Sequence, residues 1–352
     1  MDEKKVEAFG DRLFNEMNAG MSCLSLYLGY SLGLFQALAD AGPATSVDVA
    51  QSTGYVERYV REWLECMTAG GYLTHDVDSE RFTLPEEHAA ALLDPDSPSS
   101  AIGVIGWVTS FANALPSVAE AFRNGGGVPY AAYGDDMMMA QGLGTRPMFV
   151  NDLTSKWIPA MPEIEARLKA GGRVADIGCG IGWSTVALAK GYPNTQIDAI
   201  DPDEESLALA RQIAEEEGVT DQITFHLKTV EDAPVQGAYD LVMAVECVHD
   251  MPYPVSALTR MRELIASDGA VLIADEAVED TLAENTNFMG HLFYNYSVLH
   301  CLPQAMVFPD SVATGTVIKP SVLRGYAQDA GFAGVDVLPI ENAQFRFYRL
   351  NP

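Results

Sequence analysis

The stretch Val245-Glu-Cys-Val-His-Asp-Met-Pro-Tyr-Pro254 sets an imidazole, His249, between two carboxylates, Glu246 and Asp250, just beyond an apolar run that Pro252 and Pro254 stop. A histidine that titrates near neutral pH can take the proton of a hydroxyl nucleophile, provided another group holds its ring. Asp250 is the adjacent choice for that group; neighbours in sequence often point apart, so Asp275 or Glu276, after a later apolar run, serves equally well. A second constellation is Asp176-Ile-Gly-Cys-Gly-Ile-Gly182, with glycines at 178, 180 and 182 and Asp201 placed 25 positions after Asp176. Glycines there admit positive φ and close backbone approach, and an acidic residue at that distance accepts hydrogen bonds from ribose hydroxyls. The pattern is DxGxGxG, not the GxGxxG of dinucleotide sites, and a carboxylate at the loop's start repels a pyrophosphate but suits a cationic methionine moiety.

These residues need strands and helices to position them. "RVADIG", "QIDAID", "ITFHLK", "YDLVMAVE" and "GAVLIADE" read as strands, separated by helical segments such as "WSTVALAKGY" and "EESLALARQIAEEEG". That alternation predicts an open α/β sheet wound on both faces over 166–352, closed by "GVDVLPI" and "FRFYRL" as an antiparallel edge. "PVSALTRMRELIA" reads as a helix. Residues 1–100 read as helices followed by a hairpin, "YLTHD" and "RFTLP" about the turn "DVDSE", which is the winged-helix pattern. Residues 101–165 are a glycine-rich helical connector whose aromatic and methionine side chains line a domain junction, subunit interface or acceptor pocket.

Composition narrows the function. The 352 residues carry 21 Lys plus Arg against 49 Asp plus Glu, a formal charge of -28, which repels phosphate backbones and anionic lipid. By count, residues 1–100 hold 6 basic and 17 acidic side chains, so the winged helix is expected to join subunits and not to bind nucleic acid. The five cysteines, at 23, 66, 179, 247 and 301, fall at no zinc or disulfide spacing, and no metal is expected. A charged N-terminus without a signal-peptide core and two uncharged stretches broken by polar residues point to a cytoplasmic chain with no membrane span.

Through these motifs the chain resembles the class I S-adenosylmethionine-dependent methyltransferases, and in layout the dimeric small-molecule O-methyltransferases with a winged-helix N-terminal domain. The resemblance implies a Rossmann-like seven-stranded sheet, S-adenosylmethionine as co-substrate, a homodimer and a small-molecule acceptor. It implies that Asp176, Gly178, Gly180 and Gly182 surround the methionine end, Asp201 the ribose and Pro202 the adenine. Val230, Glu231 and Glu246 are further cofactor candidates; the aspartate the family often carries after its third strand is Thr229 here. His249 and Asp250 stand where the family carries a His-Asp-Trp base motif, with Met251 in place of Trp. Acceptor contacts are expected from Tyr133, Met139, Arg146, Trp157, His291 and Tyr294. The favoured reaction is methylation of oxygen. Two alternatives are S-methylation of a small thioether carboxylate such as 4-methylthio-2-hydroxybutyrate, as in dimethylsulfoniopropionate synthesis, which needs no base, and a non-catalytic winged-helix regulator.

Overall fold

The computed structural model describes residues 1–134 and 136–352. The chain divides into two compact units, Met1–Ala112 with Met139–Pro147, and Asn113–Met138 with Met148–Pro352.

In the first unit, four helices (Glu3–Ser31, Leu34–Ala41, Ser46–Thr53 and Glu57–Ala69) precede an antiparallel hairpin of β1 (Thr74–Asp76) and β2 (Arg81–Thr83). The third helix starts with a capping box, Thr45 and Asp48 each accepting the other's backbone N–H, and stops at Gly54 with φ 75°. The fourth buries Val60, Trp63, Leu64 and Met67, one face at helical spacing. Trp63 packs edge-on against Phe35 at 4.9 Å, and its indole N–H donates to the Ser25 carbonyl at 3.0 Å. The first helix instead leaves Val6, Phe9, Leu13, Met17, Met21, Leu24 and Leu28 exposed along one stripe. Among the described residues one helix, Ile102–Asn124, is long and apolar enough to cross a membrane, with 50% of that window buried inside protein. Part of its glycine content is explained by packing: a Cβ on Gly103 would stand 2.1 Å from the Gly144 amide nitrogen.

Among the described residues the second unit builds a seven-stranded sheet from β3 (Arg173–Ile177), β4 (Gln196–Asp201), β5 (Ile223–Leu227), β6 (Tyr239–Val245), β7 (Ile265–Glu276), β8 (Gly334–Val337) and β9 (Phe345–Asn351). Their order is β5-β4-β3-β6-β7-β9-β8; the first five are parallel, and β9 inserts antiparallel between β7 and β8. Helices cover both faces, so Leu241 and Met243 of β6 join one apolar core and Val242 and Ala244 the other. Burial on both sides explains the unbroken apolar run, each large side chain contributing about 1.5–3 kcal/mol. One boundary differs from the sequence reading: the helix Pro254–Leu264 ends early, and Ile265 and Ala266 begin β7 ahead of a register shift.

The topology has a functional consequence. From β3 the chain steps outward to β4 and β5, then crosses back to place β6 on the other side of β3. The crevice at such a switch point lies beyond the carboxyl ends of β3 and β6, and both motifs of the sequence emerge there.

Candidate active site

The glycine loop after β3 has φ of 68°, 51° and 86° at Gly178, Gly180 and Gly182, conformations that a side chain rarely adopts. Two of these glycines differ in surroundings. A Cβ on Gly178 would collide with Cys247 Sγ at 2.8 Å, whereas one on Gly180 would meet nothing within 4 Å. Cys247 in turn donates to the Ile177 carbonyl at 3.3 Å, so the β3 and β6 loops touch. Asp201, at the end of β4, accepts the Gly180 N–H at 2.9 Å through Oδ2 and the Asp203 N–H at 2.9 Å through Oδ1. Burial raises its pKa despite those bonds.

Asp176 is buried beneath the loop. Its Oδ2 accepts from Ser184 at 2.7 Å and Thr185 at 2.6 Å, both in the first turn of the helix Trp183–Gly191, so the carboxylate ties β3 to that helix. Burial carries its pKa up to about 6, against the two hydroxyl bonds. Of the remaining cofactor candidates, Pro202 is exposed next to Asp201, Val230 is buried in the core and Glu231 is half-buried.

Beyond β6, a single turn, Val248–Asp250, carries His249, which is 1% exposed. Its Nδ1 lies 2.5 Å from Asp275 Oδ1 and 3.2 Å from Glu276 Oε2, both at the end of β7. Its Nε2 lies 3.5 Å from Asp250 Oδ1, and Cys301 is within bonding reach of the ring. Of the carboxylates offered by the sequence, Asp275 thus makes the short bond and Asp250 stands at the opposite nitrogen. Asp275 Oδ2 and Glu276 Oε2 are buried without a hydrogen-bond partner.

The electrostatics follow from this crowding. Burial works against charging His249, but Glu276, Asp250 and Asp275 outweigh it and hold the pKa well above the usual histidine value. Burial raises Glu276 well above the carboxylate range, with His249 opposing. Glu246, partly exposed, is carried up to about 7 by burial, with Asp275 and Asp250 adding to the rise and His249 opposing it. His249, Asp275 and Glu276, or His249, Asp250 and Cys301, bring three donor atoms within 4.8 Å of one another, a spacing that could hold a cation. His249 Nδ1 and Asp275 Oδ1 also lie at hydrogen-bond distance, so these groups can satisfy each other through a proton.

Sequence reasoning overlooked His300. It is buried in the π-wound turn Ser297–Cys301, 4.6 Å edge-on from Tyr133 and 3.6 Å from Cys301 Sγ, and burial pushes its pKa down to about 4. The available signal was a histidine inside the apolar run "YSVLHCL". Tyr133 is fully buried and donates to the Leu299 carbonyl at 2.8 Å. Neighbouring Tyr130 lies 5.9 Å edge-on from His300, and burial raises its pKa, with Asp203, Asp201 and Asp250 adding to the rise.

The other expected acceptor contacts are dispersed. His291 is exposed on the helix Phe288–Tyr296, and Tyr294 is half-buried on it. Trp157 is enclosed by Phe149, Phe345 and Phe347, so its indole packs the core and offers no face to a ligand. Met139 and Arg146 belong to the first unit, where Met139 is exposed and Arg146 Nε donates to Asp96 at 2.6 Å.

The geometry fits a nucleoside-bearing co-substrate: open space over Gly180, a buried ribose-type acid at Asp201 and a helix N-terminus beside them. Comparison with known proteins agrees. Residues 20–93 match the family described as "Rv2258c-like winged HTH domain", and residues 168–306 match "Methyltransferase domain". A ubiquinone biosynthesis O-methyltransferase of Azotobacter vinelandii is 33% identical over 205 residues, 57% of this chain and 80% of that protein. An O-methyltransferase family protein from Burkholderia thailandensis superposes with TM-score 0.70 at 18% identity, over 97% of each chain. Human N-acetylserotonin methyltransferase, solved in complex with S-adenosylmethionine, gives 0.68 at 19% identity, again over 97% of each. The chain therefore belongs to the class I S-adenosylmethionine-dependent methyltransferases, as an enzyme whose methyltransferase sheet follows a winged-helix N-terminal domain.

Proposed function

We propose that this enzyme methylates a hydroxyl group of a small metabolite, with the cluster centred on His249 receiving the hydroxyl proton. The observation that carries this reading is the meeting, at the β3/β6 switch point, of a glycine loop with a buried imidazole ringed by carboxylates. S-Adenosylmethionine supplies the chemistry of a methyl bound to a cationic sulfur, activated for in-line displacement. Gly178, Gly180, Gly182 and Asp201 would hold it, and Asp176 keeps that loop on its helix. What remains for the protein is to align the acceptor, exclude water and take one proton.

Methylation of a thioether needs no proton acceptor, and a ring of carboxylates disfavours an acceptor that is itself a carboxylate. The test is a calorimetric titration with S-adenosylmethionine and S-adenosylhomocysteine, followed by mass spectrometry on matched hydroxyl and thioether compounds. Binding of both cofactor forms and transfer to hydroxyls, lost by about 100-fold or more in His249→Ala, is expected. Methylsulfonium products alone would overturn the oxygen assignment.

We also propose a homodimer joined through the exposed stripe of the first helix, since seven large apolar side chains on one free face exceed what a monomer usually leaves in water. Sedimentation should give a dimer, and Leu13→Glu a monomer.

A further inference from the structure

We infer that Glu246, and not His249, is the group that takes the acceptor's proton, while His249 is a positioning residue that stays protonated and holds the surrounding carboxylates in place. This rests on the hydroxyl-methylating reading above. Three geometric observations support it.

The first is access. His249 is 1% exposed, with Nδ1 bonded to Asp275 and close to Glu276, and Nε2 facing Asp250 Oδ1 at 3.5 Å. So little exposed surface leaves the ring almost no face for an acceptor hydroxyl. Glu246 leaves the same strand three residues earlier and is partly exposed.

The second is backbone conformation. Glu246 has φ 55°, in the left-handed region that favours glycine, at the bend between β6 and the turn Val248–Asp250. Its N–H still donates to the Ala274 carbonyl at 2.8 Å, continuing the β6–β7 ladder. Strain kept at the carboxyl edge of a sheet is characteristic of residues aimed at a ligand. An ordinary strand φ would point this side chain elsewhere.

The third is the charge around it. The groups acting on Glu246 are His249 and Asp250 from its own turn, Asp275 and Glu276 from β7, and Tyr296 from the helix Phe288–Tyr296. No lysine or arginine is among them. With Asp275 bonded to Nδ1 and Asp250 and Glu276 beside the ring, the proton of His249 is held and the ring cannot accept another. Glu246, raised to about 7, has the affinity a proton acceptor needs at neutral pH.

The step balances simply. The acceptor O–H bond breaks toward a Glu246 oxygen while the acceptor oxygen bonds the methyl carbon, and the S–CH₃ electron pair returns to sulfur. Glu246 later releases its proton to water through its exposed side.

The test combines spectroscopy with turnover. Protein labelled with carbon-13 at glutamate carboxyls and nitrogen-15 in histidine rings is titrated by NMR, with Glu246→Gln assigning the carboxyl signal. One carboxyl should titrate near neutral pH and vanish in E246Q, and His249 should stay protonated through pH 8. A Glu246 that titrates like an ordinary carboxylate, or a His249 neutral at pH 7, overturns the inference. In turnover with simple uncharged phenols and catechols as probes, Glu246→Gln should lose about 100-fold or more in kcat. Its KM for S-adenosylmethionine should change less than about twofold, the acidic limb of the pH profile should disappear, and Glu246→Asp should recover part of the rate. An acidic limb that persists in E246Q overturns this inference but leaves oxygen methylation standing. Transfer to thioethers only, unimpaired in E246Q, overturns both.

Discussion

Two histidine–aspartate pairs sit in the same sheet, and they have opposite characters. On β5 and β4, His226 Nε2 lies 2.7 Å from Asp198 Oδ1, while Asp198 Oδ2 accepts Tyr239 at 2.7 Å and Arg173 at 3.1 Å. Burial works to raise the Asp198 pKa, and those three donors outweigh it and bring it down. Arg173 also lies 4.3 Å over the Tyr239 ring, so the cluster is satisfied and close to neutral. At the carboxyl edge, His249 meets Asp275 at 2.5 Å, but Glu246, Asp250 and Glu276 crowd the same site, no lysine or arginine among the described residues pairs with them, and buried oxygens lack donors. The same residue pair makes a structural brace in one place and, on the function proposed above, a reactive centre in the other. The difference lies in whether surplus charge is neutralised, because an unneutralised buried carboxylate must shift its pKa or find a ligand.

The sharpest way to break this comparison is to neutralise each aspartate. Asp275→Asn should lower kcat by about 100-fold or more, because the ring loses the bond that sets its orientation, with cofactor affinity nearly unchanged by calorimetry. Asp198→Asn should leave kcat within about twofold and lower stability by about 1–2 kcal/mol in urea unfolding, the worth of weakened charge-assisted bonds. Equal activity losses would show that both clusters act alike.

A smaller effect separates them by pH. The folded-state pKa of Glu246 lies above its unfolded value, so the folded protein binds more protons between about pH 4.5 and 7 and loses stability as pH rises through that window. The raised His249 adds to this: its contribution is complete below the usual histidine pKa and is lost as pH climbs through its folded value. Asp198 acts in the other direction, its contribution present above pH 3.8 and lost as pH falls through its depressed folded value. Thermal unfolding should therefore show a loss of about 2 kcal/mol or more between pH 5 and 8, reduced but not abolished in Glu246→Gln and unchanged in Asp198→Asn.

Much of this architecture was legible in the residues themselves. Near-continuous apolar runs mark strands buried on both faces, glycines at 178, 180 and 182 mark a loop that needs positive φ, and the capping box at Thr45 marks a helix start. These are local constraints of backbone and burial, and they place Asp201, Glu246 and His249 at strand ends. The glycine loop with Asp201 was legible for the same reason, since backbone conformation and spacing lie within one strand–helix–strand segment.

Side-chain partnership was legible only as an open choice among Asp250, Asp275 and Glu276 for His249, because it depends on which strands become neighbours. Only the β3/β6/β7 adjacency brings Asp275 and Glu276 to His249, 26 residues away, and only the π-wound turn buries His300 and Cys301 beside it. Arg146 read as a cation for an acceptor and Trp157 as a pocket wall; tertiary packing gives the first to Asp96 and encloses the second among phenylalanines. The sequence by itself determined the family, the sheet and the loop, because these follow from period, spacing and glycine stereochemistry. The tertiary structure decided which carboxylates crowd one imidazole, because charge and desolvation act through space and not along the chain.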